Sequence, residues 1–531
     1  MRTSRGTIAT AALLALGFAL LASPATAGRD GDADRQVRWA RPLAVVGDPV
    51  SRVTLGRRSS LSALTAGRPA IANGSGAIAA GLEARVPSAL GGFDAIGDID
   101  GATPADPTGA MGGSWFLTAV NTSFALFDLA GSPVLGPSDL DSVDPKLAGA
   151  FVFDPKVVYD QYEDTFVMVF LVQEDSPRTS LIVITTIPDA TAGDPSSWCT
   201  TILPGDQVPG DGAQWADYPG LGYSADRVTI ATNQFTFPSV AGSFRYAQVL
   251  SFTKASLYDC STDLVGTAFS GSQTENTDGS PAFTLQPAQT VGGPETDQFL
   301  LSFEPRGRDS FLTLWRLRPS DTGVGIKKVT LFTGAVRAPF PATQGGVSDL
   351  FDSEFWWDPG DYRLVNAFHD ADRNELFAAQ AIRKNLKPDT VTGGYIEAAV
   401  RWYEVNPAPK LKNSVISRKG VVGEPEVEMG WPVVASDGSG NLFIAFSRAS
   451  GVTGEFLSAW VAEVPPSSTN ANSILLAPGQ GVYDVSNGPE RWGDYNGIGR
   501  SPADPSSVAT VNQYATAFNA FQQTVSLVQH I

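Results

Sequence analysis

Asp154-Pro-Lys-Val-Val-Tyr-Asp-Gln-Tyr-Glu-Asp-Thr-Phe-Val-Met-Val-Phe170 holds the unit from which the rest of the chain is built. A proline opens a short run with alternating apolar residues, Val157 and Tyr159. The acidic stretch 160–164 then reverses the chain, and a greasier run follows at 166–172. Two β-rich runs joined by a short polar turn predict a hairpin. A third run, 181–187, adds an outer strand, so this stretch makes most of one small antiparallel sheet.

The pattern recurs along the chain. Asp106-Pro107 leads into Trp115 to Asn121 and then residues 124–129, and Trp215-Ala-Asp-Tyr-Pro219 leads into residues 228–235 and 246–253. Further copies open near Leu285-Gln-Pro287, at Phe355-Trp-Trp357 with a turn at 358–362, at Gly430-Trp-Pro432, and at Arg491-Trp-Gly-Asp-Tyr495. Repeated units of a few strands that cannot bury their faces alone imply a solenoid or a propeller. Antiparallel strands with an acidic, Gly-rich turn in each unit favour the propeller. The expected fold is therefore an all-β propeller of seven blades over residues 91–531, or six if the irregular first and last copies combine. A pair of β-sandwiches would leave the recurring first-strand motif unexplained. Trp115, Trp356, Trp357, Trp431 and Trp492 are expected as packing between blades before any role as ligand platforms.

The order Asp-Pro-Thr-Gly-Ala, Asp-Pro-Lys-Val-Val-Tyr-Asp, Trp-Ala-Asp-Tyr-Pro and Arg-Trp-Gly-Asp-Tyr resembles bacterial secreted β-propeller proteins of the sialidase-like, Asp-box-like superfamily. The resemblance implies the fold and little about activity, since most of that group have none known and propellers host unrelated chemistries. The family's arginine entrance element, Phe/Tyr-Arg-Ile-Pro, is missing, so no sialidase catalytic residue is carried over.

Residues 1–27 read as a secretory signal. Two arginines precede a short apolar run, and Ala25-Thr26-Ala27 predicts cleavage after Ala27. The expected location is extracellular, with no membrane insertion. Residues 28–90 are simple in composition and carry nine Arg against five acids, which predicts a disordered leader or linker. The chain as a whole has a formal net charge of −18, so residues 91–531 carry −24. So acidic a body excludes nucleic acid as a partner of the folded part. It fits a monomer that meets a glycan or an extracellular protein.

Chemistry-bearing residues are few. There are two histidines, and His369, in a turn-like His-Asp-Ala-Asp, reads as a surface residue. Histidine-based triads and the usual zinc sites are thereby disfavoured. Cys199 and Cys260 are the only cysteines, and in an exported chain they are expected to form a disulfide between neighbouring blades. Ser436 to Asn441 resembles both an Asp-box and a shortened calcium loop, and hairpin-turn chemistry explains it. Asp106, Asp154, Asp217 and Asp494 stand at similar places near the starts of innermost strands, on a ring about the channel. Two readings of that ring stay open. Either each Asp caps a backbone turn, or Asp154, Asp217 and Asp494 hold a hard cation such as Ca2+. Tyr218, Arg491, Trp492 and Tyr495 complete the candidate ligand-binding set. The favoured function is a non-catalytic binding module, and the rival is a glycoside hydrolase or lyase that uses carboxylates of the same ring.

Overall fold

The computed structural model describes residues 36–41, 43–46, 87–99, 101–207, 214–320, 323–345, 356–386, 397–486, 488–517 and 519–530. The signal segment 1–27 and most of the 28–90 leader lie outside the described residues. The hairpin of the opening stretch is present. Val152–Asp160 pairs antiparallel with Thr165–Asp175, Tyr159 standing opposite Phe166, and Asp164 closes the turn at φ 44°. Arg178–Pro188 and Cys199–Pro204 complete a four-stranded sheet. Residues 165–173 are buried without a break. Such a run has no polar face because both faces of the sheet are covered.

The plan repeats. Thr108–Met111, Gln214–Tyr223, Gln286–Val291, Ala367–Asp370, Glu428–Ser436 and Gly497–Arg500 are the innermost strands of the other sheets. Each except the last is followed by three antiparallel partners; Gly497–Arg500 is followed by two and receives its fourth strand, Ser88–Gly97, from the N-terminal side. Innermost strands touch in chain order, and Gly497–Arg500 touches Thr108–Met111. Where neighbouring innermost strands pair they are parallel, as Ala288–Val291 is with Ala367–Asp370, so their starts share one end of the molecule. Approach at these seams leaves no room for side chains. A Cβ on Gly497 would lie 2.7 Å from the backbone of Gly109, and one on Gly222 would lie 2.4 Å from the Ala288 carbonyl. No helix among the described residues is long and apolar enough to cross a membrane.

Several expectations are corrected. In the fifth sheet the innermost strand is Ala367–Asp370, with its turn at 371–374, and not residues 355–357. Trp356–Trp357 pairs instead with Ala342–Thr343. The aromatic pair imitates an inner strand, while Pro359 and Gly360 supply a genuine turn that belongs to a loop. In the last sheet Arg491 to Tyr495 precedes the innermost strand. Thr108–Met111 and Gly497–Arg500 belong to separate hydrogen-bonded sheets. His369 lies inside an innermost strand, 1% exposed, with its ring 4.9 Å from that of Phe299. Burial pushes its pKa down to about 4, so the residue is a neutral core member.

The leader is not featureless throughout. Gln36–Trp39 pairs in parallel with Cys199–Ile202, and Ala44–Val46 pairs with Thr267–Phe269, so the segment covers two outer edges. The 91 boundary also cuts through the Ser88–Gly97 strand. Cys199 and Cys260 are bonded across the second and third sheets. The Ser436 to Asn441 turn is hairpin chemistry, with the Asp437 carboxylate accepting the amides of Ser439 and Asn441 at 2.9 Å. Trp357, Trp431 and Trp492 are buried packing residues, and Trp115 is partly buried with its indole N–H on the Asp189 carbonyl.

Candidate functional site

One recurring local device stands in or just before several innermost strands. Asp106, Asp154, Tyr218 and Trp431 each adopt a left-handed φ of 48–54° and each immediately precedes a proline. Non-glycine residues reach that region at a cost of about 1 kcal/mol, which surrounding structure must offset. At Asp154, Tyr218 and Trp431 the strand register shifts, as a β-bulge does, because proline has no N–H for the ladder.

What offsets the strain is a closed circuit of hydrogen bonds. Asn121 donates to the Asp106 carboxylate at 2.6 Å and accepts the Asp154 amide at 2.7 Å. The Asp154 carboxylate accepts the Tyr218 amide at 2.9 Å, and the Tyr218 hydroxyl donates to the Asp494 carbonyl at 3.0 Å. The Asp494 amide returns to the Asp106 carboxylate at 2.7 Å. Members of the circuit come from the first, second, third and last sheets. Two of the ring acids are therefore fasteners between sheets. A third, Asp494, holds Arg491 at 2.9 Å.

Asp217 differs. It is partly exposed, and its carboxyl accepts no hydrogen bond among the described residues. Burial first, then the charge of Asp154, pushes its pKa up to about 8, so at neutral pH it is a proton-bearing donor. Asp106 and Asp154 are also raised, by burial and then by Asp494.

Residues that the sequence reading did not single out complete the cluster. Lys156 is buried, with its ammonium 3.4 Å from the Tyr495 ring centroid, and it makes no hydrogen bond or ion pair among the described residues. Burial brings its pKa down to about 7. Arg363 is ion-paired to Asp361 at 2.9 Å, and its guanidinium lies 4.3 Å from the Tyr218 centroid. Asp358, in the same loop, is pushed up to about 6 by burial. Lys156 could have been found, because it follows the Asp154-Pro155 bulge directly. Arg363 gave no signal, since its loop belongs to the sheet whose phase was misread. Trp492 is enclosed, donating to the Ser447 hydroxyl at 3.0 Å and packing edge-on to Tyr483. No group of three or more carboxylates, histidines or cysteines placed to hold a metal ion occurs among the described residues.

The shifted groups predict an unusual pH profile. Between its ordinary 3.8 and about 8, folded Asp217 keeps a proton that the unfolded chain has released, so stability falls as pH rises through that window. Between about 7 and its ordinary 10.5, folded Lys156 lacks a proton that the unfolded chain retains, so stability rises with pH there. Asp217→Asn is expected to flatten the fall and Lys156→Met the rise, read as melting temperature against pH beside the parent. Curves that stay parallel to the parent's would refute the assignment.

No protein-family model matches the chain, and no curated protein matches it. Solved structures do resemble it. A protein of unknown function from Dyadobacter fermentans is 12% identical over 72% of this chain and 95% of its own, with a TM-score of 0.40. A GH93 α-L-arabinofuranosidase of Fusarium graminearum, solved with arabinobiose, is 9% identical over 82% of this chain and 98% of its own, with a TM-score of 0.35. A mutant Trypanosoma rangeli sialidase displaying trans-sialidase activity is 8% identical, with a TM-score of 0.34; the likeness spans 77% of this chain and 57% of that one. These likenesses assign no role to any residue of this chain.

Proposed function

We propose that this protein is an exported seven-bladed β-propeller whose channel mouth binds a glycan without cleaving it. The blade count is supported by the succession of innermost strands and by the glycine contact between Gly497 and Gly109. Export is supported by the sequence of residues 1–27 and is consistent with the disulfide. The observation that carries the binding reading is the inequality among the ring acids. A two-carboxylate glycosidase needs an acid and a second carboxylate free to act. Asp106 and Asp154 are engaged by buried amides and Asp494 by a guanidinium, which leaves Asp217 alone among them to meet a ligand. A neutral carboxylic acid beside Arg363 and the Tyr218 ring suits hydroxyl groups. Of Asp154, Asp217 and Asp494, the three expected to hold a cation such as Ca2+, Asp154 and Asp494 have protein partners.

The test is native affinity electrophoresis of the secreted protein in gels containing arabinan, xylan, galactomannan or a sialylated glycoprotein. Retention by one of these is expected, weakened about tenfold by Asp217→Ala, the equivalent of one lost hydrogen bond to a ligand. The melting temperature should not fall below the parent's, because the desolvated acid costs the parent stability at neutral pH. Release of new reducing ends from the retained probe, abolished by Asp217→Asn, would replace the binding reading with the hydrolase. Retention by none of the four probes would remove the glycan.

A further inference from the structure

The same end of the molecule carries a line of aromatic rings that the ring of acids does not explain. Trp215, Phe235 and Phe244 stand directly opposite one another on three adjacent strands of the third sheet. Their ring centroids are 5.5 and 5.8 Å apart, and Trp215 and Phe235 stack at 29°. Phe153 meets Trp215 edge-on at 6.2 Å and stacks on Phe151 at 5.4 Å. Phe283 lies 4.9 Å from Phe244 at the other end. All six are partly exposed, and Phe151 is 59% exposed. The Trp215 indole N–H donates to the Thr236 carbonyl at 3.2 Å, which fixes its plane.

This line runs into the mouth. Trp215 and Asp217 are two residues apart on one strand ahead of its bulge, hence on the same face. Arg363 lies 4.3 Å from the Tyr218 centroid and 6.0 Å from that of Phe283, bridging the mouth to the aromatic line.

We propose that these rings form an extended binding track for a glycan chain of several sugar units, with the Asp217 mouth as its inner subsite; the track deepens the glycan reading and rests on it. Fixed aromatic faces bind flat or weakly polar ring faces, and three classes of ligand offer those: nucleobases, aromatic side chains of a protein, and the C–H faces of sugars. A chain with a net charge of −18 repels a nucleic-acid backbone. A protein anchor needs a closed, fully desolvated pocket, and these rings form an open line instead. Sugars need ring faces with hydroxyl partners within reach, which the run of rings beside Asp217 and Arg363 supplies.

The track is tested with the polysaccharide retained in the affinity gels and a length series of its oligosaccharides. Affinity of the parent should climb with length beyond the disaccharide. Trp215→Ala should abolish most of that gain, about tenfold or more, and Phe151→Ala about threefold, each ring being one stacking contact. Phe151 is exposed enough that its truncation leaves the fold intact, so a misfolded Trp215 variant does not end the test. Length-independent affinity that still requires Asp217 would overturn the track and leave the mouth reading standing. Losses in the ring variants with Asp217→Ala unaffected would keep the track and overturn the mouth. Retention of single-stranded DNA, or of no polysaccharide, would overturn the track altogether.

Discussion

Asp106→Ala lowers stability by about 3 kcal/mol, read as a shift of the denaturation midpoint in urea. The carboxylate is fully buried and accepts the Asp494 amide and the Asn121 side chain. Each donor left without an acceptor in a buried site costs about 1–3 kcal/mol. Alanine keeps the strained φ of 48° that the aspartate already has and lacks the short polar side chain that eases it. One effect opposes these. Burial and then the charges of Asp494 and Asp154 raise the Asp106 pKa, so removing the acid returns part of that cost, but two buried donors left unpaired outweigh it. The lost acceptors therefore win. Asp106→Asn keeps one acceptor oxygen and tolerates the left-handed backbone, so it should lose less than half as much. An alanine variant as stable as the parent would show that the circuit does not fasten the first sheet to the last.

Replacing Cys199 and Cys260 together by serine is expected to cost about 4 kcal/mol on the chain-entropy model, for a bridge across a separation of 61 residues. The same loop is held a second way. Arg38 donates to the carbonyls of Leu257, Asp259 and Thr262 at 3.0–3.1 Å. Its strand pairs in register with the strand that Cys199 begins. The two restraints act on one loop, so the loss in Arg38→Ala combined with the double serine variant should exceed the sum of the separate losses. Mass spectrometry of unreduced secreted protein should recover the peptide linking Cys199 to Cys260. Two alkylatable thiols in the folded protein, or a double variant with an unchanged midpoint, would dismiss the bridge as a stabilising element.

Local chemistry made the sheets legible in the sequence. Alternation, turn residues and the repeat of an aspartate or aromatic residue before proline are nearest-neighbour properties, so the hairpin at 152–175 and its relatives could be read from the residues alone. The same signal failed at Trp356–Trp357, where an aromatic pair has the composition of an inner strand but finds its partner at Ala342–Thr343. Burial of His369 was invisible for the related reason that a turn-like sequence says nothing of what packs over it. The acids of the mouth were nameable from their place in the repeat. Their separate fates were not, because an amide from another sheet decides each one: Tyr218 for Asp154, Asp494 for Asp106, and none among the described residues for Asp217. Lys156, Arg363 and the aromatic line owe their meaning to sheets brought together from distant parts of the chain. Residue types and turns follow from covalent neighbours, whereas a pKa, an ion pair or a stacked ring depends on which distant surface excludes the water.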